Sequence, residues 1–177
     1  MAGFKIAAFG KAVLGFLRGM GRAPSAPHSV PESGESDRSP DEVRLRRARA
    51  CWEQSLADLK EARAMLRQGR HLQSAYLSLQ AALNAMASVC TLHGEFQYPA
   101  HSPTQMSSIC ASLDAHFNAL AAPCAALESV QEQNPFAEEV SSPESRKEAR
   151  EAYRHGKNVL GVVRGYLRTH RQKYFKP

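Results

Sequence analysis

Seven cationic residues near the carboxyl end of the chain fall in one row when residues 143–177 are drawn as a helix. At about 100° per residue they share an arc of about 100°. The row, called the basic row from here on, comprises Arg146, Arg150, Arg154, Lys157, Arg164, Arg168 and Arg171. Cations spaced by three or four residues repel one another and slightly destabilise an isolated helix, whereas phosphates would neutralise them. The row therefore predicts a surface for nucleic acid or a nucleotide, with Tyr153 at its edge available for base stacking.

Three other interpretations of the row stay open: a solubilising face, a protein-binding face and a lipid-binding face. The formal net charge of +6 is unevenly distributed, because residues 1–31 carry +4, residues 32–142 carry −5 and residues 143–177 carry +7. Basic ends indicate anionic partners, such as phosphate backbones, lipid head groups or acidic protein surfaces. The acidic middle could equally meet the row of this chain or of a second copy.

Residue patterns typical of catalytic centres are missing from the sequence. It contains no Ser-His-Asp set, no paired-carboxylate motif and no phosphate-binding loop. The four cysteines, Cys51, Cys90, Cys110 and Cys124, form no CxxC pair and no zinc-finger spacing. Three of them fall on apolar helix faces, which favours reduced core cysteines in a cytoplasmic protein. We therefore expect no metal and no cofactor, and favour a binding protein over an enzyme.

The elements that must position these residues are helices. Hydrophobic residues make up 43% of the chain, and alternating strand patterns are almost absent. Three Ser-Pro pairs, at 39–40, 102–103 and 142–143, each combine an N-cap residue with proline in the first turn. Gly69 and Gly94 follow apolar helical stretches and predict C-terminal caps. The sequence thus predicts an all-α protein.

The third predicted helix extends past Leu120 until Pro123 breaks or kinks it, and a short helix at about 124–132 follows. The last helix has a buried stripe of Ala149, Ala152, Gly156, Val159, Leu160, Val163 and Leu167. Its first three members are small and would allow a close helix crossing. Four main helices with room for a short fifth predict an up-down bundle over residues 40–177.

Residues 3–22 form a second basic segment with a different character. Apart from Phe4 and Lys5, which break the pattern, most of its large apolar side chains share one arc and its cations lie opposite, as in a helix that lies on an anionic membrane or docks on a partner. The apolar members are Ile6, Phe9, Val13, Phe16, Leu17 and Met20, and the opposing cations include Lys11 and Arg18. A mitochondrial presequence and a passive leader are the alternatives. Residues 23–39, rich in Pro, Ser and acidic residues, predict a disordered linker.

A series of residues between positions 48 and 168 carries a family resemblance. The series is Leu56-Ala57-Asp58-Leu59, Ala62, Gly69, Ala75, Leu79-Gln80-Ala81-Ala82, Gly94, His101, Asn134-Pro135-Phe136, Ser142, Glu144, Ala149 and Ala152. In order and spacing it resembles the HEPN family (higher eukaryotes and prokaryotes nucleotide-binding). The resemblance implies a helical bundle, a homodimer and a nucleotide or RNA ligand, with Gln80 and His101 at the site. Leu83 and Asn84 stand where many members of that family carry a Glu-Lys pair. This chain therefore has fewer charged and polar groups at that site to hold a nucleotide.

Ribonucleases of that family use an arginine followed by histidine at a spacing that occurs within the last helix at Arg150–His155 and Arg164–His170. Within one helix these side chains point about 140° and about 120° apart, so neither pair converges. The sequence thus leaves three hypotheses. The first is a non-catalytic binding module for RNA or a nucleotide. The second is an adaptor tethered to a membrane or larger assembly by residues 3–22, and the third is a ribonuclease.

Overall fold

The computed structural model describes residues 39–95, 102–131 and 142–170, and this part of the chain is all-helical with no strand. The elements are α1 (Pro40–Arg67), α2 (His71–Leu92), α3 (Pro103–Leu113), a 3-10 helix (Ala115–Leu120), α4 (Ala121–Gln131) and α5 (Pro143–Thr169). Five α-helices pack together, which confirms the predicted fold class. The predicted amphipathic segment 3–22 and the linker up to residue 38 lie outside the described residues, as do His101 and Arg171.

Helix ends follow the capping residues of the sequence. Ser39 Oγ accepts a hydrogen bond from the Glu42 backbone N–H at 3.3 Å, and Ser102 and Ser142 each form a capping box with the residue three positions on. Such bonds satisfy backbone N–H groups that have no partner within the helix. Gly69 and Gly94 have φ values of +79° and +84°, a conformation that glycine adopts without strain. These predicted boundaries are confirmed.

Helix α2 is the centre of the bundle, and α1, α3, α4 and α5 all pack on it. Its sequence contains no Lys, Arg, Asp or Glu. Among the described helices, α2 is the one whose length and apolar composition would also suit a membrane span. However, 67% of its most apolar stretch is buried by other helices, as expected for the core helix of a bundle.

The crossing of α2 and α5 is held close by small residues. A Cβ atom placed on Gly156 would lie 2.7 Å from the carbonyl oxygen of Ser78, so only glycine fits at this point of α5. Ala152 and Ala149, one and two turns earlier, are also buried. The predicted close crossing is therefore confirmed, and it holds α5 with one face in the core and the other toward solvent.

One boundary differs from the prediction. Helix α3 ends at Leu113 instead of continuing past Leu120, because Asp114 is extended and its Oδ1 accepts the His116 backbone N–H at 2.7 Å. A carboxylate that caps the next turn competes with helix continuation. Pro123 therefore lies in the first turn of α4, where its missing N–H costs nothing, and does not break a helix.

Candidate functional site

The six members of the basic row that the structure describes are all exposed on α5. The described residues contain two ion pairs, Arg44 with Asp41 and Arg49 with Glu53, and both lie within α1. No member of the row therefore pairs with a carboxylate in the described part of the chain. Because no carboxylate of the described residues pairs with them, these cations generate a positive potential along one side of α5.

Helix α1 runs antiparallel beside the row and contributes to the same surface. Near one end of α5, the guanidinium carbon of Arg164 lies 6.0 Å from the centre of the half-buried Trp52 ring, a cation–π distance. Near the other end, Arg146 and the α1 residue Arg67 line one cleft. The row is thus flanked along its length by α1.

The cations of α1 that share this side were missed in the sequence analysis. Arg63 stands eleven residues after Trp52, which at about 100° per residue places both on the same side of the helix. Arg67 follows one turn later, and both arginines are exposed. The spacing from Trp52 could have revealed this side of α1. However, these residues were counted with the acidic middle of the chain, where their charges cancel in the sum.

The cleft between the end of α1 and the start of α5 has a volume of about 550 Å³. Its described lining consists of Leu66, Arg67, Gln68, Gly69, His71, Ser142, Pro143 and Arg146. This lining combines two arginines with no acidic side chain. It also includes the first residue of α2, His71, and the N-cap residue of α5, so the amino ends of two helices meet there. The two arginines and the amino ends of α2 and α5 favour an anion, whereas the carboxyl end of α1, which also borders the cleft, does not.

Gln80, the described member of the family-analogy pair, is half-buried on α2. It stands two residues after Ser78, the residue that touches α5, and so points about 160° away from it. The structure therefore does not bring Gln80 to the basic row. One turn along, Asn84 donates to Asp58 Oδ2 at 2.7 Å and ties α2 to α1. Burial, followed by the charge of Asp58, raises the pKa of Tyr76 above its ordinary value.

The two arginine–histidine pairs have different neighbours. Arg164 lies over Trp52, whereas the His170 ring stacks on Tyr166 at 4.1 Å between centroids. In the other pair Arg150 is exposed, while His155 is half-buried.

Tyr166 was missing from the predicted stripe of α5, yet it is only 3% exposed. Its Oη lies 2.8 Å from His93 Nε2, and its ring packs against Phe117 at 4.6 Å. Its spacing of seven residues from Val159 would have indicated burial, but an aromatic residue with a polar end fits either face of an amphipathic helix. The partner of this hydroxyl, His93, lies just past the end of α2 and far from Tyr166 in the sequence, so only the tertiary structure brings the two together.

Three of the four cysteines are buried, and their sulfur atoms cluster around Met86. Cys90 Sγ and Cys110 Sγ are 3.6 Å apart, and Cys124 Sγ lies 3.7 Å from Met86 Sδ. Burial raises the pKa of the Cys124 thiol to about 12, and the contact with Cys90 followed by burial raises that of Cys110. Because thiolates are the reactive form, this cluster serves packing and not nucleophilic chemistry. Among the described residues, no group of three or more His, Cys, Asp or Glu is placed to hold a metal.

No protein-family model, curated protein or solved structure matches this chain. A function for this chain must therefore be inferred from its own geometry and charge.

Proposed function

We propose that this protein is a non-catalytic module that binds RNA through the basic row of α5. One observation carries the proposal: six exposed cations follow one face of α5, and none of them pairs with a carboxylate in the described residues. Like charges at this spacing oppose helix formation, so a bound polyanion offsets a cost that the free protein bears. Each phosphate that they neutralise also releases a condensed counterion.

Trp52 and Tyr153 add a feature that a solubilising face does not need. Both are half-buried, and Trp52 lies beneath Arg164 at the edge of the row. Aromatic rings beside cations are typical of surfaces on which unpaired bases stack while the backbone follows the charges. This favours single-stranded RNA over a duplex, whose bases are already stacked.

The family resemblance belongs to the same proposal. Residues 48–168 would be a degenerate HEPN-like bundle, in which the last helix has become the binding surface and no cleavage takes place. A homodimer would present two basic rows. The all-helical fold is compatible with this assignment.

The test is fluorescence anisotropy of a labelled single-stranded RNA titrated with the full-length protein over a salt series. If the row contacts four to six phosphates, the affinity should fall with a log–log slope of about −3 to −4. Arg150→Gln combined with Arg154→Gln should weaken binding at low salt and reduce the slope by about 1.4.

The matched control is Arg46→Gln combined with Arg47→Gln, which removes the same charge from exposed positions of α1 that lie about 120° and 140° around the helix from Trp52. If this control weakens binding as much as the α5 variant, the attraction comes from net charge and not from the row. RNA cleavage in the same samples would overturn the non-catalytic assignment. Absence of RNA binding at low salt would refute the proposal and favour the adaptor hypothesis, in which anionic vesicles bind through residues 3–22.

A further inference from the structure

The cleft between α1 and α5 continues the basic row at the amino end of α5. Arg146 belongs both to the row and to the cleft lining, and Arg67 adds a second guanidinium from α1. A volume of about 550 Å³ lies within the range of small-molecule sites and is large enough for one nucleotide.

Part of the charge around the cleft is unfavourable in the free protein. Arg67 ends α1, where a cation is favourable, but Arg146 lies about one turn from the amino end of α5, where the helix dipole favours anions. The amino end of α2 carries the positive end of a second helix dipole, and the first turn of α2 contains no acidic residue. An anion placed in the cleft would offset the unfavourable position of Arg146 and would meet the amino ends of α2 and α5.

We infer that the cleft binds the terminal phosphomonoester of an RNA strand whose following phosphates lie along the basic row. This inference rests on the proposed function and specifies its ligand. A terminal phosphate carries more charge than an internal diester, and paired guanidinium groups bind it with short charge-assisted hydrogen bonds. Leu66 and Pro143 provide an apolar wall for the attached nucleoside.

The test compares three RNA strands of one sequence: one with a 5′-phosphate, one with a 3′-phosphate and one with hydroxyl groups at both ends. Each is titrated with the full-length protein, and the fluorophore is attached away from the phosphate. One phosphorylated strand should bind about tenfold more tightly than the hydroxyl strand, as expected for charge-assisted hydrogen bonds. Arg67→Gln should abolish this advantage, so that the variant binds the phosphorylated and the hydroxyl strands with equal affinity.

Arg63→Gln is the matched control, because Arg63 is an exposed arginine one turn from Arg67 and outside the cleft. It should leave the preference for the phosphorylated strand intact. Equal binding of all three strands would overturn the inference while leaving the basic row as an RNA-binding surface. No binding of any strand would instead refute the proposed function, so the two failures are distinguishable.

The same phosphomonoester could come from a free mononucleotide, and titration with AMP alone distinguishes this source. AMP binding that depends on Arg67, without any advantage for phosphorylated RNA, would overturn the link between cleft and row. If AMP competes with the phosphorylated strand but not with the hydroxyl strand, this result would support the inference that the cleft binds the terminal phosphate of RNA.

Discussion

Helices α2 and α5 pack against each other, but they differ in how many charged side chains they carry and expose. Helix α2 contains no charged residue and contacts every other α-helix of the bundle. Helix α5 buries one face against it and exposes six cations on the other. Because the buried and the charged side chains are separate, we expect substitutions in α2 to change mainly the free energy of unfolding and substitutions on the exposed face of α5 to change mainly the surface charge.

The largest expected effect tests whether stability depends on α2. Leu79→Ala removes a side chain that is 2% exposed and leaves a cavity, so we expect the free energy of unfolding to fall by about 2–5 kcal/mol. Arg154→Ala on the exposed face of α5 should change it by less than about 0.5 kcal/mol. Urea denaturation followed by circular dichroism measures both. If both variants lost a similar free energy of unfolding, stability would not depend mainly on the buried residues of α2.

A second prediction tests the contact between the two helices. Gly156→Ala forces a methyl group against the Ser78 carbonyl and should lower the free energy of unfolding by about 1–3 kcal/mol. Gly161→Ala is the control on the same helix, where nothing lies within 4 Å of the added atom. It should raise the free energy of unfolding by about 0.5–1 kcal/mol, since alanine has the higher helix propensity. Stabilisation by both changes would show that the crossing is looser than described.

A third prediction concerns the buried sulfur cluster under α2 and its dependence on pH. The pKa of Cys124 is about 12 in the folded protein and has an ordinary value of 9.0, so its contribution is fully present below pH 9 and is lost between pH 9 and pH 12. We expect the stability gap between the native protein and Cys124→Ala to shrink by about 1 kcal/mol from pH 8 to pH 10. Chemical denaturation at both pH values measures it. A constant gap would show that the thiol ionises equally in both states.

The smallest expected effect concerns charge repulsion within the basic row of α5. Arg150 is repelled by Arg146 and Arg154 one turn away, so Arg150→Gln should raise the free energy of unfolding by about 0.5 kcal/mol at low salt. High salt should remove the gain through screening. Arg46→Gln, whose neighbour one turn earlier is Glu42, should give no such gain. A gain for Arg46→Gln, or none for Arg150→Gln, would mean that the row is not under repulsion.

Local features of the fold were predictable because they depend on residues close in sequence. The caps at Ser39, Ser102 and Ser142 and the glycine ends at Gly69 and Gly94 involve neighbours within a few positions. The end of α3 was not predicted, because the Asp114 carboxylate and the burial of Phe117 from a 3-10 helix compete with an unbroken apolar pattern. The pattern alone does not show which of the two prevails.

The candidate site was also predictable from the sequence only in part. Helical periodicity determined that the row of α5 is continuous and lies opposite the buried stripe, since both follow from about 100° per residue. Only the tertiary structure decided that α1 lies beside the row, with Trp52 beneath Arg164 and Arg67 across the cleft from Arg146. These residues are far apart in the chain, and their meeting depends on the antiparallel packing of α1 and α5 around α2. A periodic pattern specifies the faces of a helix, whereas the neighbour of each face is chosen by the packing of the whole bundle.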